Sequence, residues 1–202
     1  IMQQVADKNG IVEGMVYLQI TRGADWDKVR DFGFPKDPKP TMFMFGQHKN
    51  LSADPAAEKG IRVITIPEIR WERRDIKSVA LLAQTLGKQA AKDAGVDDAW
   101  MVEDGLVTEG TSNSAFIITE NDELIARPLT NEILPGITRI AVLKLAEEMQ
   151  LKVVEGKFDP EQAYKAKEAF STSASALVAP VVEIDGHRIG DGKPGVYTKR
   201  LR

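Results

Sequence analysis

Two side chains in this sequence have types and settings suited to covalent and acid–base chemistry. Lys77 lies between an apolar, strand-like segment and a strongly helical one, and Glu109 precedes a run of small residues. A lysine amine can form a Schiff base with an aldehyde, and a carboxylate can keep a pyridine nitrogen protonated. Small residues beside the carboxylate would let a flat ring lie against the backbone. A held amine and a held carboxylate are the two groups that a pyridoxal phosphate site needs, with Lys77 as its catalytic residue; the choice of this cofactor depends on the wider motifs of the chain.

The run from Leu134 to Thr138 has the features of a phosphate anchor. Gly136 allows the backbone to approach a ligand closely, and Thr138 adds a hydroxyl group. The helix predicted to begin at Ile137 supplies unpaired N–H groups at its first turn. We expect this run to bind the phosphate of the cofactor.

The elements around Lys77 predict how it is positioned. Residues 61–66 are typical of a strand, and Pro67 cannot continue its hydrogen-bond ladder. From Ile76 to Ala94 the apolar residues recur at helical spacing, and Gly95 is a suitable C-terminal stop. Lys77 is therefore predicted at a strand-to-helix junction with its amine buried, and burial lowers the pKa of a lysine amine.

The remaining pattern predicts an α+β fold with a barrel-like β core. Further strands are predicted at 14–21, 41–46, 99–103, 106–109, 115–119, 123–127, 168–173 and 176–184, with helices at 137–150 and from Asp159 onwards. Asp104-Gly105 and Asn121-Asp122 are predicted hairpin turns. We divide the chain into a remnant of a small α/β domain (1–46), an interdomain linker (47–54) and a larger cofactor-binding domain (55–202).

Composition excludes few classes of function. The 202 residues are 43% hydrophobic and 28% charged, with a formal net charge of −3, which gives no reason to expect nucleic acid or an anionic membrane as partner. The sequence has no cysteine, which is consistent with the cytoplasm. Its longest apolar run, Ala176 to Val182, is too short to span a bilayer. His48 and His187 have neither the spacing nor the carboxylate neighbours of a metal site, so no metal is expected.

Several motifs in a fixed order resemble fold-type-IV pyridoxal phosphate enzymes (class IV aminotransferases), and most closely the D-amino-acid (D-alanine) aminotransferases. The motifs are Val16-Tyr17-Leu18-Gln19-Ile20-Thr21-Arg22-Gly23, Arg30-Asp31-Phe32-Gly33-Phe34-Pro35, Asp75-Ile76-Lys77-Ser78, Thr108-Glu109-Gly110, Leu134-Pro135-Gly136-Ile137-Thr138-Arg139 and Phe170-Ser171-Thr172-Ser173-Ala174-Ser175. The resemblance implies two domains in the fold of that family. It also implies that part of the small domain, with a phosphate-binding arginine, precedes Ile1, and that a short helix follows Arg202.

The resemblance also implies roles for individual residues. Leu134 would pack on the ring, and Ser173 and Ala174 would offer further amides to the phosphate. Many relatives have threonine where this chain has Ala174, and asparagine where it has Ser114. Arg30 would bind the substrate carboxylate, although the histidine that normally accompanies it is replaced by Phe32. Tyr17 would line the edge of the substrate pocket.

The leading hypothesis is transamination between a D-amino acid of the D-alanine type and a 2-oxo acid such as 2-oxoglutarate or pyruvate. A branched-chain aminotransferase, an (R)-selective amine transaminase and an aminodeoxychorismate lyase are alternatives within the same cofactor class. A non-catalytic, truncated scaffold is the alternative from another class. The resemblance further implies a homodimer, because active sites of the family take residues from both subunits.

Overall fold

The computed structural model describes residues 1–25 and 32–202. They form two compact units, Ile1–Ser52 and Ala53–Arg202. Unit 1 contains a helix, α1 (Met2–Lys8), and two strands, β1 (Gly14–Thr21) and β2 (Thr41–His48). The strands are antiparallel, in regular register from Gly14 opposite His48 to Thr21 opposite Thr41. Both predicted strands are therefore present, and β2 continues two residues into the segment predicted as linker.

Unit 2 is built on a mixed sheet of nine strands. These are β3 (Ile61–Pro67), β4 (Asp98–Glu103), β5 (Leu106–Gly110), β6 (Ser114–Ile118), β7 (Glu123–Ala126), β8 (Lys152–Glu155), β9 (Glu168–Ser173), β10 (Leu177–Ile184) and β11 (His187–Arg188). The order is β5-β4-β3-β10-β9-β6-β7-β8, and β11 pairs with β10. β3 runs parallel to both β4 and β10, and β7 runs parallel to β8. Together with the helices, this curled sheet confirms the predicted α+β class.

The sheet has apolar cores on both of its faces. Successive residues of a strand point to opposite faces, and β6 supplies both cores. Ala115 and Ile117 belong to the cluster that contains Trp100. Phe116 belongs to the second cluster, where its ring stacks on Phe170 with 4.9 Å between centroids. Burial on both faces explains why β6 is apolar without alternation from Ala115 to Ile118.

The helices of unit 2 are α2 (Pro55–Lys59), α3 (Leu82–Asp93), α4 (Ile137–Glu148), α5 (Pro160–Tyr164) and α6 (Val196–Leu201). The capping of α5 follows the prediction, since the Asp159 side chain accepts a hydrogen bond from the Gln162 N–H in a capping box. Gly95, with φ of 72°, follows the end of α3 as predicted.

The predicted start of α3 is wrong by more than one turn. The helix begins at Leu82 rather than Ile76, and residues 76–81 form a loop. Ile76 and Val79 are 45% and 76% exposed, so the apolar stripe of this stretch buries no face that would stabilise a helix. The chain before it is held instead by Arg74, whose N–H donates to the Asn131 carbonyl at 2.9 Å.

Candidate active site

A cavity of about 1160 Å³ in unit 2 gathers the predicted cofactor-binding residues of that unit. Its lining includes Lys77, Glu109, Leu134, Gly136, Ile137, Thr138, Ser173 and Ala174. These residues come from the loop before α3, from β5, from the start of α4 and the segment before it, and from the end of β9 with the turn that follows. Segments far apart in the sequence therefore place an amine, a carboxylate and a helix N-terminus on one cavity wall.

Lys77 lies on this cavity but not in the predicted setting. It belongs to the loop of residues 76–81 rather than to a strand-to-helix junction, and its side chain is exposed rather than buried. The cause is the late start of α3, which leaves the loop without a packed helix face around the lysine. The amine is accessible from the cavity. Such access is required of an amine that forms a bond with an entering aldehyde.

Glu109 is buried in β5, and its carboxylate is held by two groups. The Arg70 guanidinium forms an ion pair with it through Oε1, and the Leu134 N–H lies 3.3 Å from Oε2. Burial raises the pKa of Glu109, although the positive charge of Arg70 opposes this shift. The structure thus gives this carboxylate a fixed position on the cavity wall.

Arg70 and Glu68 were missed by the sequence analysis. Arg70 donates to Glu68 at 2.9 Å through Nε, and Glu68 also accepts from the Thr108 hydroxyl at 2.8 Å. Burial tends to raise the pKa of Glu68, but the hydrogen bond and charge of Arg70 outweigh it and lower this pKa to about 2. The only sequence signal was the Glu-x-Arg spacing just after β3, and nothing local connects it with Glu109.

The N-terminus of α4 faces the cavity without a side-chain cap. Gly136 is the N-cap residue, and within residues 1–25 and 32–202 no side-chain cap hydrogen bond forms at this end of the helix. The backbone approaches closely here, because a Cβ atom added to Gly136 would lie 3.3 Å from the Ser114 hydroxyl. Uncapped N–H groups and the helix dipole favour an anion at this position.

Thr172, beside the predicted pair Ser173 and Ala174, was also missed. It is 3% exposed, lines the cavity, and its hydroxyl oxygen has no hydrogen-bond partner among the described residues. Buried polar groups are normally paired, so an unpaired hydroxyl on a cavity wall indicates a ligand atom as its partner.

These observations test whether the cavity fits pyridoxal phosphate. Its volume exceeds that of a single phosphorylated pyridine ring, and its wall carries an anion site at α4, a buried carboxylate and an accessible lysine. The unpaired Thr172 hydroxyl provides a further donor. The residues present therefore fit the cofactor in number and chemical type.

The predicted substrate residues belong to unit 1. The Tyr17 ring stacks on Phe45 with 5.0 Å between centroids, and its hydroxyl donates to Gln19 at 2.7 Å. Phe32 is 89% exposed. Arg30 lies outside the described residues.

Comparison with known proteins identifies the family of this chain. The family model of amino-transferase class IV matches residues 1–184, so the chain belongs to that family. The resemblance seen in the motifs is thereby confirmed.

Individual relatives agree with this assignment. The chain is 38% identical over 201 residues to a D-alanine aminotransferase of Bacillus licheniformis, covering all of this chain and 69% of that protein. It is 34% identical to the D-alanine aminotransferase of Staphylococcus aureus (strain MSSA476), of which it covers 70%.

Solved structures show the same fold. The branched-chain amino acid aminotransferase of Escherichia coli superposes with a TM-score of 0.80 at 25% identity, over 99% of this chain and 66% of that one. The branched-chain amino acid aminotransferase of Thermobaculum terrenum, in its holo form, gives 0.74 at 28%, over 92% of this chain and 61% of that one. The chain thus spans about two thirds of the solved chains that it matches. In the described part of the chain, no helix is both long and apolar enough to cross a membrane.

Proposed function

We propose that this protein catalyses pyridoxal-phosphate-dependent transamination between a D-amino acid of the D-alanine type and a 2-oxo acid such as 2-oxoglutarate or pyruvate. The observation that carries the proposal is the single cavity where Lys77, Glu109 and the N-terminus of α4 meet, in a chain of the amino-transferase class IV family. The curated relatives named D-alanine aminotransferases support the D-amino acid, since they are 34–38% identical over the whole chain.

Each group on the cavity wall has a role in the proposal. When bound, the cofactor supplies a covalent attachment for the amino group and an electron-withdrawing ring. Lys77 would hold the cofactor through its amine and would move the proton that leaves the substrate Cα. Glu109 accepts the hydrogen bond of the ring nitrogen. Leu134 packs against the ring.

The phosphate would lie at the N-terminus of α4. There the backbone N–H groups of Ile137 and Thr138 can donate to an anion, and Gly136 leaves room for it. Ser173 and Ala174 provide amides from the opposite turn. We also assign the substrate carboxylate to Arg30, with Tyr17 at the pocket edge; this assignment is supported by the resemblance of their motifs to those of the family.

We extend the proposal to the domain organisation, the oligomeric state and the location of the protein. We assign residues 1–46 to part of the smaller domain, 47–54 to the linker and 55–202 to the cofactor-binding domain. The boundary between the two compact units, at Ser52 and Ala53, falls within this linker and supports the assignment. A cytoplasmic homodimer completes the proposal, supported by the absence of cysteine and by the many exposed apolar residues, such as Trp71 (54%) and Leu82 (71%).

The direct test is to locate the covalent bond. Borohydride reduction of the protein loaded with pyridoxal phosphate, followed by peptide mapping, is expected to label Lys77. Lys77→Ala is expected to abolish transamination without unfolding the protein, whereas Lys199→Ala, an exposed lysine of α6, retains activity. Labelling of another lysine, or full turnover in Lys77→Ala, would refute the assignment.

A branched-chain aminotransferase is the second candidate, because the solved structures with TM-scores of 0.80 and 0.74 carry that name. Half-reactions with D-alanine and with L-leucine, followed as loss of cofactor absorbance, separate the two. Turnover of D-alanine without any 2-oxo acid acceptor would instead indicate a lyase.

A further inference from the structure

A chain of alternating charges leads from the protein surface to the candidate site. Glu103 accepts from Arg74 Nη2 at 2.8 Å, and Arg74 Nη1 lies 3.2 Å from Glu68 Oε2. Glu68 Oε2 lies 2.5 Å from Arg70 Nη2, and Arg70 Nη1 forms the ion pair with Glu109. We call these five residues the charge ladder.

The inner part of the charge ladder is closed to solvent. The side chains of Glu68, Arg70, Arg74 and Glu109 are 0%, 8%, 4% and 5% exposed, whereas that of Glu103 is 35% exposed. Isolated charges are too costly to bury, so each of these groups depends on its neighbours to remain ionised. Removing one member would therefore change the protonation or orientation of the next.

The charge ladder carries a net charge of −1, and its members that line the cavity are Arg70, Arg74 and Glu109. It contains three carboxylates and two guanidinium groups, which leaves one negative charge, and Glu109 is the carboxylate member that lines the cavity. A protonated ring nitrogen bears one positive charge, so the ladder with its ligand would be neutral. If Glu109 took up a proton, the charge ladder would no longer balance the positive charge of the ring nitrogen.

We propose that Arg70 is the positioning residue that keeps the Glu109 carboxylate ionised and directed at the cavity, with Glu68 fixing the orientation of Arg70. The role of this arrangement toward a ring nitrogen rests on the proposed function, but the effect of Arg70 on Glu109 does not. Glu68 and Arg70 hold each other through two hydrogen bonds, from Nε and Nη2, which is the geometry that gives an arginine a fixed direction.

The sign of the effect follows from the charges around Glu109. Arg70 and Glu68 are the charged side chains that act most strongly on it, and the attraction of Arg70 exceeds the repulsion of Glu68. An opposite charge in contact lowers a carboxyl pKa by about 1–3 units. Arg70→Gln is therefore expected to raise the titration midpoint of Glu109 by about that amount.

The experiment measures this midpoint directly, in protein free of cofactor. Carbon-13 labelling of glutamate side chains gives a carboxyl resonance for Glu109, assigned by its loss in Glu109→Gln. Arg70→Lys keeps the positive charge but loses the planar two-point contact. The Glu109 midpoint in this variant is expected to lie closer to the wild-type value than to that of Arg70→Gln. The double variant Glu68→Gln/Arg70→Gln leaves no unpaired Glu68 charge. It is expected to show a smaller shift of the same sign, and so tests the proposal if Arg70→Gln does not fold.

Arg127→Gln is the matched control. Arg127 is as buried as Arg70, with a side chain 3% exposed, and also pairs with a glutamate, Glu132, at 2.8 Å. It has no contact with Glu109 among the described residues, so its loss is expected to leave the Glu109 midpoint unchanged.

The second measurement uses protein loaded with pyridoxal phosphate. In Arg70→Gln the absorbance change that reports ring-nitrogen protonation is expected to shift in pH, because the proton affinity and the orientation of the Glu109 carboxylate both change, whereas Arg127→Gln is expected to leave it unchanged. An unchanged Glu109 midpoint in both Arg70→Gln and the double variant, or an equal shift in Arg127→Gln, would overturn the proposal. If the wild type binds no pyridoxal phosphate, the proposed function fails, while the cofactor-free titration still decides the role of Arg70.

Discussion

Replacing Thr172 with valine separates a cofactor contact from a structural one. The Thr172 hydroxyl is buried and unpaired in the described part of the chain, and valine has nearly the same shape without the hydroxyl. A buried polar group without a partner costs about 1–3 kcal/mol. Thr172→Val is therefore expected to raise the free energy of unfolding of the cofactor-free protein by about 1 kcal/mol, and valine also suits the strand position in β9.

The same substitution is expected to weaken cofactor binding. If the hydroxyl donates to a charged phosphate oxygen, its loss costs about 1.5–3 kcal/mol, which is about a 10- to 150-fold higher Kd. Thr172→Val is thus expected to increase stability and to decrease cofactor affinity. Substitution of a residue that served only packing would not change stability and affinity in opposite directions.

The assay needs two measurements on each variant. Urea unfolding of cofactor-free protein gives the stability, and titration with pyridoxal phosphate gives the Kd. Thr198→Val is the matched control, because the Thr198 hydroxyl is equally buried but donates to Glu168 at 2.6 Å. The control is expected to lose about 1–3 kcal/mol of stability and to keep its affinity. A Thr172→Val protein that is less stable and binds pyridoxal phosphate normally would refute the reasoning.

Three further predictions concern the scaffold. Gly87→Ala is expected to lower Tm despite its higher helix propensity, because the added Cβ would lie 2.8 Å from an isoleucine methyl of β3; a higher Tm by calorimetry would contradict this close approach. Glu168→Gln is expected to cost about 1.5–3 kcal/mol in urea unfolding, because the carboxylate accepts the N–H and hydroxyl of Thr198 at the start of α6; an unchanged midpoint would exclude that anchor. Glu68 has a folded pKa lowered from 4.5 to about 2, so its contribution to stability is complete above pH 4.5 and lost as the pH falls toward 2. Acid titration of Glu68→Gln is expected to show a shallower loss of stability over that range, and an identical acid profile would disprove the assignment.

Local patterns predicted those elements whose causes are local. The Asp159 capping box and the Asp104-Gly105 turn depend on residues within a few positions of each other, and both appear in the structure, with φ of 52° at Asp104 and 77° at Gly105. The strands of the sheet were predicted within one or two residues, apart from two short ones that were missed. The Lys152–Glu155 segment of β8 has too little alternation to be recognised, and β11 has only two residues.

The predictions failed where distant contacts decide the structure. Helical spacing extended α3 back to Ile76, but the preceding chain is fixed by Arg74 bonding to Asn131 and Glu103. The same kind of long-range pairing joins Arg70 to Glu109, and no sequence window contains both residues. The eight predicted cofactor residues nevertheless line one cavity, because ordered motifs carried information that periodicity did not.

The parallel pairing of β3 with β10 has a consequence for how this chain is made. Ile61 lies opposite Val181, and Asp185 closes the arrangement by accepting from the Thr65 N–H at 2.7 Å. A contact that spans so much of the sequence forms slowly, because a long loop must close before the pairing stabilises anything. During synthesis, the backbone groups on the edge of β3 that faces β10 therefore remain unpaired with that strand until β10 has left the ribosome. Nascent chains of this protein are exposed to strand-mediated aggregation for much of translation.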